Sequence, residues 1–206
     1  MSATRSPDQP DHLQHAGHSA LVVPVPPLED WVKARHVHYD RDYASSDPTF
    51  AHAHVTVLAP FVSVAELASA APEIAEILSR TSSFTFALTS VATFPNGIIH
   101  LVPDPASAQR FRSLTRALTD AFPAYPPYAG AFDDVAPHLT LDAVGPGVTE
   151  AIVRGQVAAL LPARGYAATA HLSWYEAGAC RTIAHWPLGP LSHVGRTAPR
   201  RRFSRG

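Results

Sequence analysis

Two short strings echo each other along the chain, His54-Val55-Thr56-Val57 and His138-Leu139-Thr140-Leu141. Their histidines stand 84 positions apart (138 minus 54). Successive side chains on a β-strand point to opposite faces. His54 and Thr56 therefore share one face, as do His138 and Thr140, while the intervening Val and Leu side chains enter a core. An imidazole titrates near pH 6.5, so a facing pair can hold one neutral ring as general base and one protonated ring as general acid. A hydroxyl two residues further along the same rigid strand is placed to donate to developing negative charge. A polar pair that recurs on an otherwise apolar strand predicts a site, and two such pairs predict a site with two-fold character.

The surrounding elements repeat as well. Ala20 to Pro26 reads as a strand ending in proline, and Ile98 to Pro105 matches it. Each is followed by a helical stretch, Leu28 to Val37 and then Ala106 to Phe122, the second with Phe111, Leu114, Leu118 and Phe122 at helical spacing. After a loop comes the His-x-Thr-x strand, then another helix (Val64 to Leu78; Val148 to Leu161) and a closing strand (Phe84 to Val91; Tyr166 to Trp174). The order β-α-β-α-β thus occurs twice, over about residues 19–94 and 97–190. Local propensity, motif placement and element order agree with one another. Such a duplication places the two His-x-Thr strands opposite each other across a cleft.

Composition bounds the rest. With 206 residues and 46% hydrophobic content the chain can bury one sizeable core. No apolar run reaches the roughly 18 residues of a membrane span, and residues 1–18 lack the apolar stretch of a signal peptide. Cys180 is the single cysteine, which excludes an internal disulfide and fits a reducing, cytoplasmic setting. Residues 19–190 hold ten basic and fifteen acidic side chains, a net of −5 (10 minus 15); five arginines from Arg196 to Arg205 offset this, and Arg5, Asp8 and Asp11 leave the whole chain at −1. A net acidic body is poorly suited to gripping a long phosphate backbone, which leaves a nucleotide or a single RNA end as the nucleic-acid partner. Residues 1–18 and 192–206 read as disordered tails, the latter Arg-rich with its Arg200-Arg201-Arg202 run.

These residues resemble the two-histidine (2H) phosphoesterase superfamily, specifically its bacterial RNA 2′,5′-ligase-like branch. His54-Val55-Thr56-Val57 continues into Leu58-Ala59-Pro60-Phe61 in the manner of the first family motif, and Pro137-His138-Leu139-Thr140-Leu141 is similar to the second. The resemblance covers about residues 19–190. It implies an α+β fold of two pseudo-symmetric βαβαβ lobes, with antiparallel-rich sheets facing a central cleft that carries both motifs. It also implies a metal-independent, cofactor-free activity on 2′,3′-cyclic phosphates or 2′,5′ phosphodiesters, with His54, Thr56, His138 and Thr140 as the catalytic set. The partner expected is a nucleotide or RNA terminus, the chain acting as a monomer without a membrane.

Further residues are candidates for substrate contact. His171, with Thr169 and Ser173, occupies the face of its closing strand that matches the cleft. Tyr128 and Phe132, in the Pro- and Gly-containing loop from Pro123 to Ala136, can stack on a base or pack the loop down, and Tyr43 has the same two readings. Arg41 can reach a terminal phosphate. Two other readings of the chain stay open. The pairs His52/His54 and His36/His38, with Asp40 or Asp42, or the group His12, His15 and His18, could ligate a metal in a hydrolase. A cleft that binds a nucleotide without turning it over is the other.

Overall fold

The computed structural model describes residues 17–130 and 135–191. Residues 1–16 and 192–206 of the expected tails, with His12 and His15, and Phe132 lie outside these residues, whereas His18, expected in the N-terminal tail, opens the first strand. Among the described residues eight strands and four α-helices follow in the order β1 (His18–Pro24), α1 (Glu29–Tyr39), β2 (His54–Leu58), α2 (Leu67–Arg80), β3 (Phe84–Thr93), β4 (Ile98–Pro103), α3 (Pro105–Ala121), β5 (Leu139–Ala143), α4 (Glu150–Val157), β6 (Ala163–Ala167), β7 (Thr169–Tyr175) and β8 (Arg181–Pro187). The strands form two antiparallel four-stranded sheets, β2-β1-β7-β8 and β5-β4-β3-β6. None of the described helices is long and apolar enough to cross a membrane.

Local chemistry explains where the helices begin. Asp104 caps α3 by accepting from the Ser107 N–H, with Pro105 at the first helical position. Ser63 and Glu66 bond each other reciprocally ahead of α2 in a capping box. Thr149 caps α4 through the Ile152 N–H. Phe111, Leu114 and Leu118 form the buried stripe of α3, and Ala70, Ile74 and Leu78 that of α2. The last predicted helix is shorter than expected: α4 ends at Val157 and a 3-10 turn, Ala158–Leu160, completes it ahead of Pro162.

The two sheets exchange strands between the halves of the sequence. β3, which closes the first repeat in the chain, pairs with β4 of the second half. β7, from the second half, pairs with β1 of the first. The stretch predicted as one strand, Tyr166 to Trp174, divides at Ala168 into β6, which joins β3, and β7, which joins β1. β8 extends the first sheet beyond β7. One hydrophobic core draws on both sheets, from Leu21, Val55 and Leu172 on one side to Leu101, Leu139 and Phe111 on the other. Each fully buried side chain of this kind contributes about 1.5–3 kcal/mol.

Two polar contacts tie the halves together close to the motif strands. The Thr115 hydroxyl on α3 donates to the Val57 carbonyl on β2 at 2.8 Å. Arg35 on α1 donates through Nε to the buried Asp142 carboxylate on β5 at 2.6 Å, with a second contact from the same guanidinium.

Candidate active site

Strand alternation places the four motif residues as their spacing requires. Val55, Val57, Leu139 and Leu141 are buried, whereas His54, Thr56, His138 and Thr140 are half-buried. Neither histidine is free to rotate. The Nδ1–H of His54 donates to the Ala51 carbonyl at 2.8 Å, and that of His138 to the Ala136 carbonyl, also at 2.8 Å. A carbonyl can only accept, so each ring is assigned the Nδ1–H tautomer when neutral, with its lone pair on Nε2.

The segment ahead of His54 is locked by one carboxylate. Glu29 Oε1, in the first turn of α1, accepts from the His52 N–H at 3.1 Å and from His52 Nδ1 at 2.7 Å, and Oε2 accepts from the Ala53 N–H at 2.9 Å. Burial pushes the Glu29 pKa up, but the hydrogen bonds from His52 and Ala53 outweigh it and leave the group below the usual carboxylate range. His52 accepts at Nε2 from the Ser45 N–H at 3.0 Å, so both its nitrogens are used structurally. Among the described residues no group of three His, Cys, Asp or Glu side chains is arranged to hold a metal ion.

Both motif imidazoles are harder to protonate than a free histidine. Burial is the main cause at His54, opposed by the Ala51 carbonyl and Glu29. At His138 burial again dominates, and the neighbouring His100 and His54 add repulsion, bringing the ring down to about 4. The strands that the two histidines lead into, β2 and β5, lie against each other, which brings His54 and His138 close enough to repel when charged. An anion between the rings would offset both causes and return a proton to one of them.

The ring neighbours differ on the two sides. His138 meets Phe94 edge-on at 4.9 Å and His100 at 5.4 Å, and His100 stacks flat on Phe94 at 3.7 Å. His54 instead has the Tyr175 hydroxyl 3.2 Å from its Nε2. In register, Thr140 faces His100 on β4, and Thr56 faces Val22 on β1, which in turn faces His171 on β7. His171 thus shares the face of Thr56 two strands away, with its Nε2 3.3 Å from the Thr169 hydroxyl.

The remaining candidates are spread around this centre. Tyr128 takes a left-handed conformation (φ 50°), its N–H donates to the Ala59 carbonyl just beyond β2, and burial pushes its phenol up to about 12. Arg41 is exposed and Tyr43 half-buried in a 3-10 turn, Arg41–Tyr43, whose Asp42 carbonyl accepts from the Gly178 N–H. A cavity of about 470 Å³ lined by Arg110, Arg164 and Asp104 lies at the β3–β6 end and shares no residue with the histidine pair.

Sequence reasoning did not single out Glu29, Phe94, His100 or Tyr175. His100 had a legible signal, a polar residue amid Ile98, Ile99, Leu101 and Val102. Tyr175 continues the alternation His171, Ser173, Tyr175 one place beyond the predicted strand end. Glu29 carries no such pattern.

Two sheets with an exchanged closing strand, and half-buried His-x-Thr pairs, one opening β2 and one running from His138 into β5, define a pseudo-symmetric two-histidine fold. The chain belongs to the 2′-5′ RNA ligase superfamily, whose family model matches residues 23–179. Membership supports a phosphoesterase. Solved structures share the fold at low identity. A protein of Thermus thermophilus is 17% identical with a TM-score of 0.57, the match covering 85% of this chain and 100% of that one. Escherichia coli LigT in its apo form is 16% identical with a TM-score of 0.54, covering 85% and 99%. The same protein complexed with 3′-AMP gives 15% and 0.51, covering 83% and 97%. No curated protein sequence matches this chain.

Proposed function

We propose that this protein is a metal-independent phosphodiesterase that opens 2′,3′-cyclic phosphates, or cleaves and joins 2′,5′ linkages, at nucleotide or short RNA ends. The observation that carries this reading is the matched anchoring of His54 and His138, each with Nδ1 on a backbone carbonyl, which makes Nε2 the nitrogen that would exchange a proton. In the hydrolytic direction, a water gives its proton to the neutral Nε2 of one ring and its oxygen bonds phosphorus. The P–O bond to the ribose 2′ or 3′ oxygen breaks, and the protonated ring supplies the proton that oxygen needs. Each transfer is worth roughly 10²- to 10⁴-fold in rate. Thr56 and Thr140 lie on the same faces, positioned to donate to the non-bridging oxygens as their charge grows. The net acidic body favours a nucleotide or RNA end over a long duplex. LigT has been crystallised with 3′-AMP and with NADP+, and a nucleotide-sized ligand is the partner proposed here.

The test is turnover of 2′,3′-cyclic nucleotides in excess EDTA, followed by ³¹P NMR. His54→Ala and His138→Ala are each expected to lose at least 10²-fold in kcat with the circular dichroism spectrum unchanged. The wild-type kcat/KM should be bell-shaped in pH. Near-normal turnover by either variant refutes the acid–base roles, and tight nucleotide binding without any turnover by the wild type favours a binding module instead.

A further inference from the structure

We infer that Tyr175 is a positioning residue for His54: its hydroxyl bonds the same ring nitrogen that must exchange a proton with substrate, and holds that nitrogen aimed until substrate takes the hydroxyl's place. The inference rests on the acid–base reading above and adds to it a residue from the far end of the chain.

The phenol oxygen lies 3.2 Å from His54 Nε2, between residues 121 positions apart. The Tyr175 ring is itself held, stacked on His18 at 5.4 Å and 16° and packed against the edge of Phe50 at 5.4 Å and 69°. With Nδ1–H committed to Ala51, the neutral ring of His54 can receive only the Tyr175 O–H at Nε2. Once the ring is protonated, Nε2–H donates to the phenol oxygen, and that charge-assisted bond is the stronger of the two. Among the described residues His138 has no such hydroxyl partner, and the rings beside it are Phe94 and His100. A pseudo-symmetric frame therefore holds two chemically unequal imidazoles.

Among the described residues, the titratable groups facing His54 are Glu29 and His36 on α1, His52 in the preceding loop, His138 immediately ahead of β5 and Tyr175 on β7. Those facing Tyr175 include Cys180, Glu29 and Tyr39. Glu29 and the His52 ring act on His54 through space, while the Ala51 carbonyl holds Nδ1 and the His52 backbone also favours the charged ring. The one described side chain bonded to Nε2 is that of Tyr175.

Tyr175→Phe removes the hydroxyl and keeps the ring. ¹⁵N-edited NMR of the imidazoles is expected to show the His54 titration moving to lower pH, because the imidazolium loses its acceptor, while His138 stays in place. The acidic limb of kcat/KM should move with it, and kcat should fall about five- to tenfold with KM little changed, the size of one lost hydrogen bond. An unmoved His54, or an equal shift at His138, overturns the inference. If the variant does not fold, the wild-type protein decides. A slowly exchanging Tyr175 hydroxyl proton with a nuclear Overhauser contact to the His54 ring is expected, and its absence overturns the inference. A wild type that shows this His54–Tyr175 bond but turns over no cyclic nucleotide instead overturns the phosphodiesterase reading and leaves the bond standing.

Discussion

Glu29 gives the sharpest test of how the first motif is held. Its carboxylate accepts three hydrogen bonds, from the His52 N–H, the His52 ring and the Ala53 N–H, and these fix the turn whose Ala51 carbonyl anchors the His54 imidazole. A net hydrogen bond contributes about 1 kcal/mol, and one to a charged group about 1.5–3. The His52 side chain is fully buried but that of Glu29 is 30% exposed, which screens part of the gain. Glu29→Ala is therefore expected to cost about 3 kcal/mol in total. Glu29→Gln should cost less, about 1–2 kcal/mol, because one oxygen still accepts while the amide nitrogen opposes the Ala53 donor. In both variants the turn loosens, and kcat/KM should fall by at least about tenfold, since small misplacement of a reacting group costs up to 10² in rate. Urea unfolding with an unchanged slope reads the stability, and cyclic-nucleotide turnover reads the activity. If Glu29→Gln shifts the midpoint by less than the equivalent of about 0.5 kcal/mol, the magnitude of a neutral surface change, then the carboxylate does not organise this turn.

Three other outcomes are expected. Thr56→Ala and Thr140→Ala should each lower kcat by roughly 10²-fold, about 2–4 kcal/mol if the hydroxyls act as oxyanion donors, with folding unaffected; unchanged kcat in both removes that role. His36 and His138 are both depressed to about 4, chiefly by burial, so the unfolded chain takes up protons near pH 6.5 that the folded chain refuses. Stability is thus fully present above pH 6.5 and declines as the pH falls toward 4, and a urea midpoint that stays flat or rises over that window contradicts it. Gly165 on β6 has no room for a side chain, since a Cβ there would overlap the buried Phe86 ring. Gly165→Ala should lower stability by about 1–3 kcal/mol, measured as a drop in Tm, and an unchanged Tm would mean that Phe86 moves freely.

How much of this was legible beforehand differs by element. The first three helices lie close to the stretches read from the sequence, and the Phe111, Leu114, Leu118 spacing that marked α3 does face the core, whereas α4 stops short of its expected end. The alternation of His54 to Val57 and of His138 to Leu141 was equally plain, because it follows from strand geometry alone. The division of residues 163–175 into β6 and β7 was hidden. The doubled small residues Ala167-Ala168 mark the division only weakly, since Gly165 two positions earlier interrupts the pattern as much yet lies inside β6. β8 was missed because its half-exposed sequence lacks a strong apolar period.

The sequence by itself determined which four side chains stand together in pairs, since neighbours two apart on a strand share a face whatever the strand packs against. Only the tertiary structure decided which strands share a sheet, because β3 and β7 carry alternations that suit either partner and the choice rests on contacts far along the chain. It also decided the chemical state of the histidines. Burial, the carbonyl anchors, the Glu29 collar and the Tyr175 hydroxyl depend on distances through space, and a one-dimensional pattern does not contain them.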